Sequence, residues 1–231
     1  MKITHTIKAC ENCIFRNLLF GSLNQQEYRL VNSVRAEKVF FKGEIIKHEG
    51  DNLTSFLYLR TGLVKLYKTD HAQKDHILSI HKPGDFISLL HIFSNEFYPY
   101  SIAALEKTEV CEVSIDSIKN LIKTNGDFAI DVVKRMGIIS DEVISSRFNK
   151  AQLHIRGKVA SIILYFSDQV YKAHQFKLPV TRREIAELIA MSTENVIRTM
   201  SEFKNDNILQ FNGKEIIISD YERLLNISKM G

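Results

Sequence analysis

The sequence predicts an α+β chain: an antiparallel β domain of sandwich, jelly-roll or barrel type, then one long helix, then a helix-rich C-terminal third. Three observations carry this reading. Glycines punctuate short apolar runs up to about residue 115, an apolar stripe at helical spacing begins near Asp127, and an Asn212-Gly213 pair separates two apolar runs near the end. The chain has 231 residues, longer than one average domain of about 150, so two modest cores are expected. Its 45% hydrophobic and 25% charged residues, with only 3 prolines, exclude the disordered and fibrous classes.

The β domain is read from FFKGEIIKHEGD, SFLYLRTGLVKLYKTD and DHILSIHKPGDFI. Gly43, Gly50, Gly62 and Gly84 each sit beside polar residues between apolar runs, where a strand must reverse. Many short strands at regular spacing indicate a sandwich, jelly roll or barrel. From Asp127 onward Val132, Met136, Ile139 and Val143 recur at steps of four and three, with charged residues between them. That spacing predicts a helix, and these four residues are assigned to a dimer seam. Ile130, Val133, Ile138 and Ile144 add apolar surface off that stripe, so one face is expected to meet the chain's own β domain and another a partner. A long helix packed wholly within one chain is the alternative. The expected domains are residues 1–126, the helix 127–152, and 153–231.

The last of these reads as helix (HIRGKVASIILYFSDQVYK), helix (TRREIAELIAMS), turn, helix (TENVIRTMSEFKNDN) and hairpin (ILQFNGKEIIIS). Asn-Gly between apolar runs is a strong hairpin signal, and the order is that of a winged helix-turn-helix. Thr181 with Glu184 three residues on predicts a capping box for the first helix of the pair. Ser192 or Thr193 is expected to cap the second, which places Glu194 and Asn195 in its first turn.

Charge does not announce a nucleic-acid partner: the net charge is +4, and neither half is strongly basic. No run reaches the roughly 18 apolar residues of a spanning helix, and MKITHTIKACENC lacks the apolar core of a signal peptide, so a cytoplasmic protein with no membrane partner is expected. Three cysteines, an odd number, do not describe a disulfide framework. Cys10-Glu11-Asn12-Cys13 has the spacing of a thiol-disulfide oxidoreductase motif, but that chemistry needs a βαβ setting which the antiparallel pattern lacks. With no Walker loop, HExxH or GxSxG present, the chain is not expected to be an enzyme.

Glu194 and Arg198, four apart, share a face of the second helix away from Val196 and Met200. Two readings compete. Such a pair forms an ordinary exposed salt bridge worth about 0.2–0.5 kcal/mol, or it reads a base pair, Arg on guanine and carboxylate on cytosine N4. Over roughly residues 10–225, KGEIIKHEGD, KPGDFI, the long helix, TRREIAELIAMSTENVIRTMSEFKNDNIL and NGKEIII resemble the Crp/Fnr superfamily of dimeric bacterial transcription regulators. The resemblance implies a double-stranded β-helix or jelly-roll domain of cyclic-nucleotide-binding type, a dimerisation helix and a winged helix-turn-helix. It implies palindromic double-stranded DNA operators with TGA-like half-sites about 34 Å apart, read by Arg198 on guanine and Glu194 on cytosine. Thr181, Arg182 and Ser192 match the family's backbone-contacting positions. Asn195 lies in the same turn, and Thr193 and Ile197 occupy variable reading positions, Ile197 suiting a thymine methyl. RNA polymerase is a partner if the protein activates.

The family's cyclic-AMP ligands fall at Leu89 and at Tyr100-Ser101, which delimit the expected effector pocket but supply neither the glutamate nor the arginine. Without an arginine a cyclic phosphate loses its charge-assisted bidentate contact, so no cyclic-AMP response is expected. His81, Lys82 or His91 would substitute only in part. In oxygen-sensing Fnr regulators four cysteines hold an iron–sulfur cluster. Cys10, Cys13 and Cys111 match three of these ligand positions, while the fourth, six residues after Cys13, is Leu19. Such clusters take four thiolates. The site is therefore lost, completed by another ligand such as His5 or Glu11, bound to a different metal, or replaced by a thiol switch. No histidine spacing supports haem.

Overall fold

A computed structural model describes residues 18–230. They divide into two compact units, one reaching to Lys68 and resuming over Ser79–Val143, the other comprising Thr69–Leu78 and the chain from Ile144.

The first unit opens with α1 (Gln25–Val34). Asn24 caps it, accepting from the amides of Gln26 and Glu27 while the Glu27 carboxylate accepts from the Asn24 amide, which satisfies donors a helix start leaves open. Eight strands follow: β1 (Ala36–Phe40), β2 (Ile45–Lys47), β3 (Ser55–Thr61), β4 (Val64–Thr69), β5 (Asp75–His81), β6 (Phe86–Ile87), β7 (Ser101–Ala104) and β8 (Thr108–Ser114). They form two four-stranded sheets, ordered β1-β8-β3-β6 and β2-β7-β4-β5. Both sheets contribute to one core, including Phe56, Leu57, Leu59, Val64, Ile102 and Val110. The hairpin between β3 and β4 requires Gly62, whose φ is +80° and whose Cα lies so near Lys107 and Thr108 that a Cβ would fall 2.4 Å from the Lys107 carbonyl.

Two helices close the unit: α2 (Ile115–Thr124), capped by Ser114, and the first half of α3 (Gly126–Gln152). Asn125 sits at their junction. Its Oδ1 accepts from the Phe128 amide at 3.0 Å, and its Nδ2 donates to both oxygens of Glu27, tying α1 to the start of α3. On α3, Phe128 and Val132 are buried, and Met136 and Ile139 pack against the same core.

Part of the stripe expected to form a dimer seam packs within the protomer. Val132, Met136 and Ile139 cover the protomer's own β unit, because periodicity marks an apolar face without saying what lies on it. Val143 remains exposed, and so do Ile130, Val133, Ile138, Ile144 and Phe148. The helix carries two apolar faces, one on the β unit and one open, and Val143 of the expected seam is among the exposed residues.

In the second unit, α4 (Ile155–Leu164) runs into a π-helical segment, Tyr165–Tyr171, ended by Lys172 in the left-handed region. Then come β9 (Gln175–Lys177), α5 (Arg182–Leu188), α6 (Thr193–Asn205), β10 (Leu209–Asn212), β11 (Glu215–Ile218) and α7 (Tyr221–Met230). The Asn212-Gly213 hairpin forms as expected, and β9 pairs with β11 to complete a three-stranded sheet ordered β10-β11-β9. Ile185, Ile189, Val196, Met200 and Phe203 are buried between α5, α6 and their neighbours. Among the described residues no helix is long and apolar enough to cross a membrane.

Candidate nucleic-acid interface

The start of α5 is set by a complete capping box. Thr181 Oγ1 accepts from the Glu184 amide at 3.2 Å, and Glu184 Oε2 accepts from the Thr181 amide at 2.8 Å. Arg182 and Arg183 follow, both exposed, with Arg183 paired to Glu187 at 3.1 Å. The connection to α6 is four residues long, Ile189 to Ser192, and turns through Ala190 at φ +54°. The Met191 amide donates to the Ala186 carbonyl at 2.9 Å, which closes the end of α5.

Ser192 caps α6, its hydroxyl accepting from the Asn195 amide at 3.3 Å. Val196, Thr199, Met200 and Phe203 face inward, so Glu194, Ile197 and Arg198 are turned to solvent, with Thr193 and Asn195 at the margin. Hydrogen bonds from its own backbone amide and from the Ser192 hydroxyl hold the Glu194 carboxyl below the usual carboxylate range, so it is ionised at neutral pH. Ile197 keeps 46% of its surface exposed, so its aliphatic side chain is open to contact from solvent.

The salt bridge weighed for Glu194 and Arg198 does not form. Arg198 donates through Nη2 to Asn195 Oδ1 at 3.0 Å, and its Nε lies 3.9 Å from Glu202 Oε1. These are light restraints on a guanidinium that is 66% exposed. What results is an exposed first turn and a half of helix that presents a carboxylate, an aliphatic side chain and a guanidinium side by side.

Sequence reading missed the support behind this surface. Arg156 of α4 donates to Glu202 Oε2 and Asp206 Oδ2, both at 2.7 Å, and lies 4.9 Å from the centroid of the Phe203 ring. Arg223 of α7 donates to the Asp206 carbonyl at 3.2 Å. These partners are far apart in sequence, and no local spacing signals them.

Residues 37–125 match the cyclic nucleotide-binding domain family, and residues 157–227 match the Crp-like helix-turn-helix domain family. The chain is 27% identical over 226 residues to an anaerobic regulatory protein of Aggregatibacter actinomycetemcomitans, covering 95% of this chain and 87% of the relative. It is 26% identical over 217 residues to the transcriptional activator protein FnrA of Stutzerimonas stutzeri, covering 91% and 88%. The chain belongs to the Crp/Fnr family. Its fold is that of the FixK2 structure from Bradyrhizobium japonicum, with a TM-score of 0.74 at 23% identity over 84% of this chain and 97% of that one. Crp/Fnr proteins are transcription regulators and not enzymes.

In the Crp/Fnr β unit, the positions expected to line an effector pocket are largely committed elsewhere. Leu89 is buried in the core, Ser101 Oγ accepts from the Glu49 amide at 3.0 Å, and the Tyr100 hydroxyl lies 3.3 Å from Ser88 Oγ. Burial lowers the His91 pKa, leaving it neutral at pH 7. His81 and Lys82 both lie against Asp85, at 3.3 and 3.6 Å.

Cys10 and Cys13 lie outside the described residues. Cys111 is buried on β8, where Arg35 Nη1 donates to its sulfur at 3.5 Å. Burial pushes its thiol up to about 11, against the opposing pull of Arg35. A four-thiolate cluster lacks its fourth ligand here: the position six residues after Cys13 is Leu19, apolar and 1% exposed within the core.

Proposed function

We propose that this Crp/Fnr protein is a homodimeric transcription regulator that reads palindromic DNA with TGA-like half-sites through α6. Arg198 contacts guanine O6 and N7, and Glu194 accepts from N4 of the paired cytosine. Ile197 packs on a neighbouring thymine methyl, while Thr181, Arg182, Ser192, Thr193 and Asn195 meet the DNA backbone and groove edge. The observation that carries this reading is the capped, solvent-facing start of α6, where an ionised Glu194 and a lightly held Arg198 stand together. The reading helix of a helix-turn-helix enters the major groove by that end.

The second apolar face of α3 pairs the protomers and sets two reading helices about one helical turn apart on the duplex. Because α3 also packs through Phe128 and Val132 on the β unit, an effector that favours one packing of that helix biases the dimer's DNA-binding arrangement. The effector is not cyclic AMP: no arginine stands at the phosphate position, His91 is neutral, and His81 and Lys82 are engaged with Asp85. The protein works in the cytoplasm and meets RNA polymerase if it activates.

The test is selection of duplexes from a randomised pool, followed by affinities at fixed salt. An Arg198→Ala variant is expected to lose about 1–3 kcal/mol on the selected sequence and to lose discrimination at one guanine per half-site. A wild type that selects no sequence would overturn the proposal.

A further inference from the structure

One carboxylate, Glu202, stands next to the reading arginine, and an arginine of α4, outside the reading pair, holds it together with Asp206. Glu202 lies four residues after Arg198 on α6, with Oε1 3.9 Å from Arg198 Nε and Oε2 2.7 Å from Arg156 Nη1. Arg156 also holds Asp206 at 2.7 Å, and its guanidinium lies over the Phe203 ring. The Glu202 carboxylate is thus shared unequally between two arginines, with the near contact going to Arg156. A carboxylate of its own helix that closes bidentately on Arg198 takes two of the guanidinium's five N–H donors and holds its fork along the helix, turned away from a guanine in the groove.

We infer that Arg156 is a positioning residue for base reading: by occupying Glu202 and Asp206 it keeps Glu202 from closing on Arg198, leaving that guanidinium free for DNA. The inference rests on the proposed DNA reading by Arg198 and adds a specificity determinant on α4, away from the groove. If Arg156 is removed, Glu202 swings to its remaining cation, Arg198, and the pair must break before guanine can be bound. The bidentate hold and the stacking on Phe203 suit a guanidinium and not an ammonium.

The experiment compares full-length wild type, Arg156→Met, Glu202→Gln and the double variant. Each is measured on the 30-base-pair duplex that the wild type selects and on the same duplex with the contacted guanine of each half-site replaced by adenine. The readout is the affinity ratio between these duplexes at one salt concentration. General repulsion between an unpaired carboxylate and phosphates affects both duplexes alike and cancels. Methionine keeps apolar cover on Phe203. Arg156→Met is expected to lower the ratio about five- to tenfold, within the range one bidentate base contact commands. Glu202→Gln alone is expected to leave it unchanged or raised, and Glu202→Gln added to Arg156→Met to restore it to within about twofold of wild type, because a neutral amide does not sequester Arg198.

An unchanged ratio in Arg156→Met, or a loss that Glu202→Gln does not restore, overturns the inference while leaving sequence-specific binding intact. A merely structural tie between α4 and α6 gives the second result, since both variants break it. If Arg156→Met does not fold, Arg156→Lys and Glu202→Gln decide: an unchanged ratio for Lys, or a lowered one for Gln, overturns it. A wild type without sequence preference overturns the DNA-reading proposal itself, and this inference with it.

Discussion

Glu112 on β8 receives Lys38 of β1 at 2.7 Å and Lys47 of β2 at 3.0 Å, so a single carboxylate ties the two sheets together. Burial works against its ionisation, but the hydrogen bonds from Lys38 and Lys47 outweigh it and hold the carboxyl below the usual range. A carboxylate whose folded pKa is depressed contributes stability that is present above its unfolded pKa of about 4.3 and is lost as pH falls through the folded value. Glu112→Gln is therefore expected to cost about 1–3 kcal/mol at pH 7, the range for a charge-assisted partner removed from a half-buried site. The cost shrinks below about pH 4, where the wild type loses the same charge. Urea unfolding at pH 7 and pH 3.5 measures both. Gly62 and Gly43 give a second residue-scale contrast. Both have positive φ, but a Cβ on Gly62 meets the Lys107 carbonyl whereas one on Gly43 meets nothing within 4 Å. Gly43→Ala is expected to cost about 1–2 kcal/mol from backbone conformation alone. Gly62→Ala adds an overpacking penalty of about 1–3 kcal/mol, so its unfolding midpoint falls further.

At the scale of elements, the link between α5 and α6 turns on Ala190 at φ +54°, where a side chain is disfavoured by about 1–2 kcal/mol. Glycine there relieves that strain but gives back part of it as unfolded-state entropy, so Ala190→Gly is expected to stabilise the second unit by about 0.5–1 kcal/mol. Thermal unfolding of that variant checks it, and DNA affinity is expected to stay unchanged, because both helix caps are untouched. The helix pair was legible in the sequence because its determinants are local: Thr181 with Glu184, Ser192 with Asn195, and an inward row of Val196, Met200 and Phe203. The strands were legible for the same reason, since their glycine turns lie within a few residues of the runs they connect. Helices α1, α2 and α7 went unread although Asn24 with Glu27 and Ser114 are capping signals; ten residues of amphipathic pattern among strands do not stand out. The π-helical Tyr165–Tyr171 has no spacing signature of its own. β9, only three residues long, exists because β11 pairs with it from some forty residues away. The Arg156 network is invisible in sequence on the same ground.

At the scale of the whole molecule, the proposed dimer rests on α3. One of its faces is covered by the β unit, and the other presents Ile130, Val133, Ile144 and Phe148 to solvent, with Val133 68% exposed. Their positions, with Gly137 between, follow steps of three, four, seven and four, the seam spacing of paired helices. Among the described residues, nothing outside the helix's own backbone lies within 4 Å of a Cβ built on Gly137, so no described contact across the protomer requires glycine there. In the proposed dimer a second helix crossing at that point would favour glycine there, because small residues let backbones approach closely. In the proposed dimer, fully burying each large side chain of the seam would contribute about 1.5–3 kcal/mol against the cost of association. Val133→Glu is expected to convert the protein to monomers in sedimentation equilibrium at micromolar concentration while leaving its circular dichroism unchanged, since that side chain is outside the protomer core. Gly137→Leu is expected to raise helix stability by about 1 kcal/mol and yet weaken the dimer, a combination that a helix packed wholly within one chain would not produce. Both variants should also lose the preference for a two-half-site operator over a single half-site, because a monomer carries only one reading helix. A Val133→Glu protein that remained dimeric would move the seam to another face and remove the geometric basis for the half-site spacing.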